Sequence, residues 1–538
     1  MKKLLLIYML WLPIHAEDVY LAQAAAGGGT GANCENAKAI TFFGVGGNWG
    51  TGEGKISAGD IVHLCGTITS KLWFQGGGAI GSPVTLLFET GANISVSPGC
   101  GTDGCVNLGG NSYIAIDGGV SQPCGWNMTT NQSEGTCNGV IRNMLYGSTD
   151  ATCPGGACTT QADSGELIKS TGSSNIEIRN LELGPSYIHT TTGSGGNDYH
   201  GTGCIYNNGG SNWNIHNNKL HDGGWCATMS FGSGTVSNIV MSNNEFYNNS
   251  HMTAFAGSGS GSIDGVTFSG NYFHDMYMWD TTSMAWHADA IHFYGSSGSI
   301  KNITIYNNIF GGNTGHDVTG QIFTEAVSGG TSNIVIFNNV FNITSVPPAG
   351  SNYLWGPAQC TSCSFYNNTL NGGGTSISLG YSTNDVSAAV ANNIIQGAYW
   401  LFNVSTSYVT LSPFNFNAYG PNTGGIWGCR GGNYNNFTDW KAACSEGSSS
   451  IYNASSLGLD TALKPQSVSP VIGAGVNVCT TSPAFCTSHP AIGYDITGNP
   501  RPASGPWDIG AYQYASGSGT YTGGISGAAS ISGKATIK

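Results

Sequence analysis

The residues best able to do chemistry in this chain stand close together in the phrase HADAIHFYG, which carries His287, Asp289, His292 and Tyr294. Imidazole, carboxylate and phenol side chains can supply a general base, a general acid and a group to orient them. Side chains of an extended segment alternate between two faces. Ile291 and Phe293 then share the inward face, and His292 and Tyr294 look outward together. One repeat later, GQIFTEAVSG gives Ile322 and Thr324 the inward parity and sets Phe323 and Glu325 beside His292 and Tyr294. The catalytic candidates are therefore His287, Asp289, His292, Tyr294 and Glu325, with His251 and the His221–Asp222 pair on preceding repeats. Upstream, His274, Asp275 and Asp280 extend the same polar constellation. Asp275, Asp280 and Asp289 are candidate ligands for calcium, a hard cation that takes oxygen donors. Trp225, Trp279 and Trp286 are candidate platforms on which sugar rings could stack.

Two reactions suit such a set. β-Elimination of a uronate needs a base for the C5 proton and positive charge near the sugar carboxylate. Between Cys204 and Ser405 the cationic side chains besides His are Lys219 and Lys301 alone, so that charge would come from His or from calcium. Hydrolysis instead uses two carboxylates about 5–9 Å apart, for which Asp289 and Glu325 are the pair.

The elements that must position these residues are read from a returning phrase. It runs NWNIHNNKL from Asn212, NIVMSNNEF from Asn238, GVTFSGNYF from Gly265, NITIYNNIF from Asn302 and NIVIFNNVF from Asn333, at intervals of 26, 27, 37 and 31 residues. Each phrase alternates apolar residues with period 2 and is a half-buried strand. A return every 26 to 37 residues, with no helical pattern between, fits one coil of a solenoid. The paired Asn marks a sharp corner, since Asn tolerates the left-handed conformation and its amide can bond from coil to coil. Phe246, Phe273, Phe310 and Phe341 then point back inside and stack.

The phrases resemble the pectate-lyase-like superfamily of right-handed parallel β-helix proteins, over roughly residues 55–405. The resemblance implies an all-β fold, a right-handed parallel β-helix with an N-terminal cap and a C-terminal capping module. It also implies a substrate groove walled by loops at one edge of the second sheet in each coil. That superfamily includes polysaccharide lyases, glycoside hydrolases, epimerases, phage tailspikes and non-catalytic surface proteins. The expected activity is that of a polysaccharide lyase or glycoside hydrolase acting outside the cell. The alternative is a non-catalytic cell-surface or adhesion protein that binds carbohydrate.

Composition sets the compartment. Lys2 and Lys3 precede the apolar run Leu4 to Ile14, a signal-peptide pattern over residues 1–24 with cleavage after Ala16 or Ala24. No segment is long and apolar enough to span a bilayer. The sixteen Cys fall into near-neighbour pairs, consistent with disulfides in an oxidising compartment and a secreted or cell-surface protein. Zinc is the rival reading at CTSC and CPGGAC. Only 8% of residues are charged and the net charge is −13, which argues against nucleic acid as a partner and leaves extracellular polysaccharide as the expected one. The expected division is N-terminal coils with disulfide-rich loops over 34–174, regular repeats over 175–410, a C-terminal cap over 411–514 and a flexible Gly/Ser tail over 515–538. Within the cap, GLDTALKPQSVSPVIGAG and GYDITGNPRPASGPWDIGAYQY resemble the choice-of-anchor Q module of bacterial surface β-helix proteins. Gly473 and Gln513 stand where that pattern often has an acidic residue.

Overall fold

The computed structural model describes residues 17–96, 99–119, 124–128, 130–143, 165–186, 203–257, 259–276, 288–295, 297–314, 318–343, 352–380 and 385–514. Its strands form three long sheets of 14, 13 and 13 strands, and their pairing is parallel apart from the hairpin strands Ile426–Cys429 and Gly432–Tyr434 at one end. A single coil shows the pattern. Ile300–Tyr306 lies in the first sheet, Ile309–Gly312 in the second and Val318–Thr324 in the third, after which Thr331–Phe337 begins the next coil in the first sheet. Equivalent residues sit directly over one another, as Ile305 over Ile336, Phe310 over Phe341 and Ile322 over Trp355. The chain is a parallel β-helix.

Asparagine makes the corner between first and second sheets, for two separable reasons. The first Asn of each pair takes a positive φ, 54° at Asn243, 53° at Asn307 and 56° at Asn338, where a β-branched or bulky residue would be strained. The second Asn turns inward and is fully buried. There its Nδ2 donates to Oδ1 of the Asn one coil on, so that Asn218, Asn244, Asn271, Asn308, Asn339, Asn368, Asn393 and Asn417 form one ladder at 2.9–3.1 Å. The same Oδ1 accepts the backbone N–H of the preceding Asn, which satisfies corner amides that no strand pairs. Beside the ladder, Phe246, Phe273, Phe310 and Phe341 stack at 4.5–5.0 Å.

The ladder ends in an acid. Asn417 finds no further Asn and donates instead to Glu446 Oε1 at 3.1 Å, while Ser450 Oγ accepts its backbone N–H and Tyr419 donates to Glu446 Oε2 at 2.9 Å. Burial pushes the Glu446 carboxyl up to about 7, although hydrogen bonds from Ser450, Asn417 and Tyr419 oppose it. Between the ordinary value of 4.5 and this raised one the folded chain binds a proton that the unfolded chain does not. Stability from this group is therefore gained as pH falls through 7 and is lost at higher pH, by about 3 kcal/mol in all. Glu446→Gln is expected to raise the urea midpoint at pH 8 and leave it unchanged at pH 5; an equal effect at both would contradict this.

The two ends are closed differently. Phe43, Trp49 and Phe74 form an edge-on aromatic cluster over the first coils. At the far end the helix Phe437–Cys444 presses Trp440 onto Trp427, Tyr419 and Phe402. The later part of the expected cap packs Leu457, Val471 and Ile509 against Ile394, Ala418 and Ile451 of the last coils and also reaches earlier ones. Residues 457–514 lie along the flank of the rod and cover the first Asn of successive corners, so that Asn338, Asn367 and Asn392 are fully buried there. Asn338 donates to the Tyr494 carbonyl at 2.7 Å, Asn392 to that of Val476 at 2.7 Å, and buried Arg501 donates to Asn338 Oδ1 at 2.9 Å.

The described cysteines form seven disulfides, each between the expected near neighbours, and the 153–158 pair lies outside the described residues. Cys204 and Cys226 join adjacent coils with Cα atoms 4.5 Å apart. The cysteines of CTSC bond each other, which removes the zinc reading there. Among the described residues no helix is long and apolar enough to cross a membrane.

The N-terminus carries a second test. Asp18–Ala22 pairs in parallel with Ile61–Cys65 along its whole length, and Leu21 is fully buried. Cleavage after Ala24 would strip that strand, whereas cleavage after Ala16 spares it. Any removal of the N-terminal segment is expected to leave Glu17 as the first residue, as intact-mass measurement would show; a start at Ala25 would refute this.

Candidate functional site

The third sheet carries the site on four neighbouring strands: Trp225–Phe231, His251–Gly257, Ala288–Gly295 and Val318–Thr324. Their register sets His251 beside Asp289, Ala254 beside His292 and His292 beside Phe323. As expected, Ile291 and Phe293 face the core while Tyr294 is partly exposed. Glu325 follows the last strand, and its N–H donates to the Phe293 carbonyl at 2.9 Å, which places it next to Tyr294.

Asp289 arrives by a departure from alternation. Strict period 2 would send it to the side of Ile291. Instead Ala290 and Ile291 are both in the core, so the pattern slips by one and Asp289 meets His292 across three residues. Asp289 is fully buried; its Oδ1 accepts the Gly320 N–H at 2.7 Å and its Oδ2 lies 3.5 Å from both His251 Nε2 and His292 Nδ1. The opposite nitrogen of His292, Nε2, lies 3.4 Å from Glu325 Oε1. Glu325 is 39% exposed and His292 only 2%, so the cluster runs from solvent inward as Glu325, His292, Asp289 and His251.

Burial governs the electrostatics. It pushes the Asp289 carboxyl well above the usual carboxylate range, assisted by the charge of Glu325 and opposed by the Gly320 amide. It lowers the His292 imidazole, against the pull of Glu325. It raises the Tyr294 phenol, again with Glu325 adding, so Tyr294 stays a neutral proton donor. The rings are held by stacking: Trp225 on His251 at 4.6 Å, His251 on His292 at 5.4 Å and His292 on Tyr294 at 4.7 Å.

Of the expected site residues, Asp289, His292, Tyr294 and Glu325 come together. His287, Asp280, Trp279 and Trp286 lie outside the described residues. Trp225 lies beside the cluster, stacked on His251 at 4.6 Å and nearly perpendicular to Tyr294 at 5.5 Å. The upstream part of the constellation is separate. His274 and Asp275 sit at the end of the second-sheet strand Tyr272–His274, bonded to each other at 2.8 Å, with His274 3.3 Å from Glu245 and Asp275 accepting the Asn313 N–H at 2.8 Å. Asp275 and Asp289 thus have different partners on different sheets. His221 is likewise on the second sheet, where Asp222 at 2.6 Å and Glu182 at 3.5 Å hold its imidazole up at about 9 against burial. The member missing from the first rank of candidates is His251. Its signal was available, since stacking the repeats puts His251 directly beside Asp289.

No protein-family model matches the chain, and no curated protein matches it. Among solved structures it is similar to pectate lyase Pel9A at 12% identity, over 94% of this chain and 98% of that one, with a TM-score of 0.40. It is also similar to a family 28 exopolygalacturonase of Yersinia enterocolitica, at 13% identity over 75% of this chain and 78% of that one (TM-score 0.32). A third is PfbA, a surface adhesin of Streptococcus pneumoniae, at 13% identity over 70% and 86% (TM-score 0.33). The chain's own sheets make it a parallel β-helix protein with an ionisable cluster on the third sheet.

Proposed function

We propose that the chain is an exported protein that acts on an extracellular polysaccharide by proton abstraction and β-elimination, as a lyase. The observation that carries the reading is the placement of Glu325 and Tyr294 side by side at the open edge of the cluster, with His292 and Asp289 buried behind them. In this reading Glu325 takes the proton at C5 of a uronate, the electron pair forms the C4–C5 double bond, the bond from C4 to the linking oxygen breaks, and Tyr294 protonates that oxygen. His292, held by ring stacking against His251 and Tyr294 and 3.4 Å from Glu325, positions Glu325. Hydrolysis by two carboxylates is less well served. Asp289 is fully buried with one oxygen on an amide, so it cannot activate water on the far face of a sugar.

Export is supported by the disulfides. The stretch 457–514, with its resemblance to choice-of-anchor Q, would then serve attachment. The test is a panel of uronate and neutral polysaccharides followed in parallel by the ultraviolet absorbance of unsaturated products and by new reducing ends. Reducing ends without unsaturation would mean hydrolysis, and saturable binding without either product would mean a carbohydrate-binding surface protein.

A further inference from the structure

The three side chains behind Glu325 have a geometry that acid–base chemistry does not require. One ring nitrogen each of His251 and His292 and one oxygen of Asp289 lie within 4.8 Å of one another, and all three residues are buried. His251 Nε2 and His292 Nδ1 are each 3.5 Å from Asp289 Oδ2. That is longer than the roughly 2.7–3.2 Å of an N–H···O hydrogen bond. It is close to the spacing of two donor atoms that each stand about 2.0–2.2 Å from one tetrahedral metal ion.

The far sides of the same three groups point to a ligand independently. Imidazoles that bind metal usually engage an outer partner through the other ring nitrogen, and metal-binding carboxylates are hydrogen-bonded as well. Here the other nitrogen of His292 faces Glu325 at 3.4 Å, that of His251 lies 3.3 Å from Ser250 Oγ, and the other oxygen of Asp289 accepts the Gly320 N–H at 2.7 Å. Of these outer contacts only that of Asp289 is as short as an ordinary hydrogen bond; those of the two imidazoles, at 3.3 and 3.4 Å, set the side of each ring that faces away from the group, and the three facing donor atoms lie within 4.8 Å of one another. Trp225 and Tyr294, packed on the two rings, keep them from turning. Two imidazoles and one carboxylate suit zinc and its first-row neighbours. They do not suit calcium, which takes six to eight oxygen ligands.

We propose that His251, Asp289 and His292 bind a divalent first-row transition cation of the zinc class, with at least one coordination position left to a non-protein ligand. The site deepens the reading above in one respect. It would put positive charge behind Glu325 and Tyr294, where Lys219 and Lys301 cannot serve because they pair with Glu245 and Asp264. Binding itself is independent of turnover.

The experiment uses the full mature protein, stripped with chelator and titrated with Zn²⁺, Co²⁺ and Ca²⁺ in separate calorimetric arms, with the visible spectrum of Co²⁺ as a second readout. One equivalent of Zn²⁺ is expected to bind, Co²⁺ to give the intense visible bands of a low-coordinate site, and Ca²⁺ not to compete. Asp289→Asn and His251→Gln are expected to weaken Zn²⁺ at least 100-fold. Glu325→Ala, at a half-exposed position, is expected to weaken it about 10-fold through loss of the outer partner of His292, and decides the matter if the buried variants do not fold. No saturable uptake, Zn²⁺ affinity unchanged in a folded Asp289→Asn or in Glu325→Ala, or Ca²⁺ competing on equal terms would each overturn the assignment. Zn²⁺ bound by a protein that turns over no polysaccharide would keep the metal site and defeat the elimination reading. Saturable Zn²⁺ uptake would be missing, and elimination present, if only the metal assignment were wrong.

Discussion

Replacing Glu325 by Gln is expected to lower turnover of the responsive polysaccharide by about 10²–10⁴-fold, the contribution of a positioned acid or base. KM should move little, because the amide keeps the shape of the carboxylate and loses only its ability to accept a proton. The variant is informative because Glu325 is 39% exposed, so a loss of activity cannot be assigned to a collapsed core. Tyr294→Phe removes the proposed donor and should fall into the same range. Groups that act in one transition state lose their effects together, so the double variant is expected to be scarcely slower than the worse single one. His292→Ala should slow turnover as well, by releasing the carboxylate it positions. The measurement is initial rate by unsaturated product, with a thermal melt of each variant. Turnover by Glu325→Gln within about threefold of the parent, far inside the range for a lost base, would remove Glu325 from the reaction.

Much of this architecture was legible because a solenoid repeats its rules. Period-2 phrases gave the strands, paired Asn gave the corners, and in-phase Phe gave the internal stack. The structure pairs Phe310 over Phe341 and Ile305 over Ile336 accordingly. The outward pair His292 and Tyr294, with Glu325 one coil on, followed from parity alone. What parity could not supply is the step at Ala290 and Ile291, two consecutive core residues that bring Asp289 round to His292. Such a slip depends on how the strand bends into its sheet and leaves no mark in a pattern of alternation. The same limit explains why the constellation from His274 to Tyr294 looked like one site. Proximity along the chain within a coil does not distinguish two sheets, and His274 and Asp275 belong to the second. The flank position of residues 457–514 was hidden for a further reason, since its contacts are to the Asn corners of coils more than 80 residues earlier.

Asn308→Ala is expected to be among the most destabilising single changes in the chain, by about 4 kcal/mol from the groups it orphans. In the parent, Asn308 Oδ1 accepts both the backbone N–H of Asn271 at 3.0 Å and its Nδ2 at 2.9 Å, while its own Nδ2 donates to Asn339 Oδ1 at 3.0 Å and to the Phe268 carbonyl at 3.1 Å. All of this happens at zero exposure, so water cannot replace what is lost. Each buried donor or acceptor left without a partner costs about 1–3 kcal/mol, and alanine leaves several at once. Asn308→Asp separates hydrogen bonding from shape. It still accepts from Asn271 but cannot donate onward, and it faces Asn339 Oδ1 with an oxygen, so it too should be severely destabilised. Asn302 offers the matched control. Its side chain joins a second row running across the first sheet, donating to Asp264 and accepting from Asn333 at 2.7 Å, but that row is exposed. There water takes over the broken bonds, and what remains is the cost of placing alanine at a φ of 58°, so Asn302→Ala should cost about 1–2 kcal/mol, well below Asn308→Ala. Urea midpoints of the three variants at one pH make the comparison. Equal midpoints for Asn308→Ala and Asn302→Ala would mean that buried and exposed ladders contribute alike, and that the inward asparagines are not what holds the coils in register.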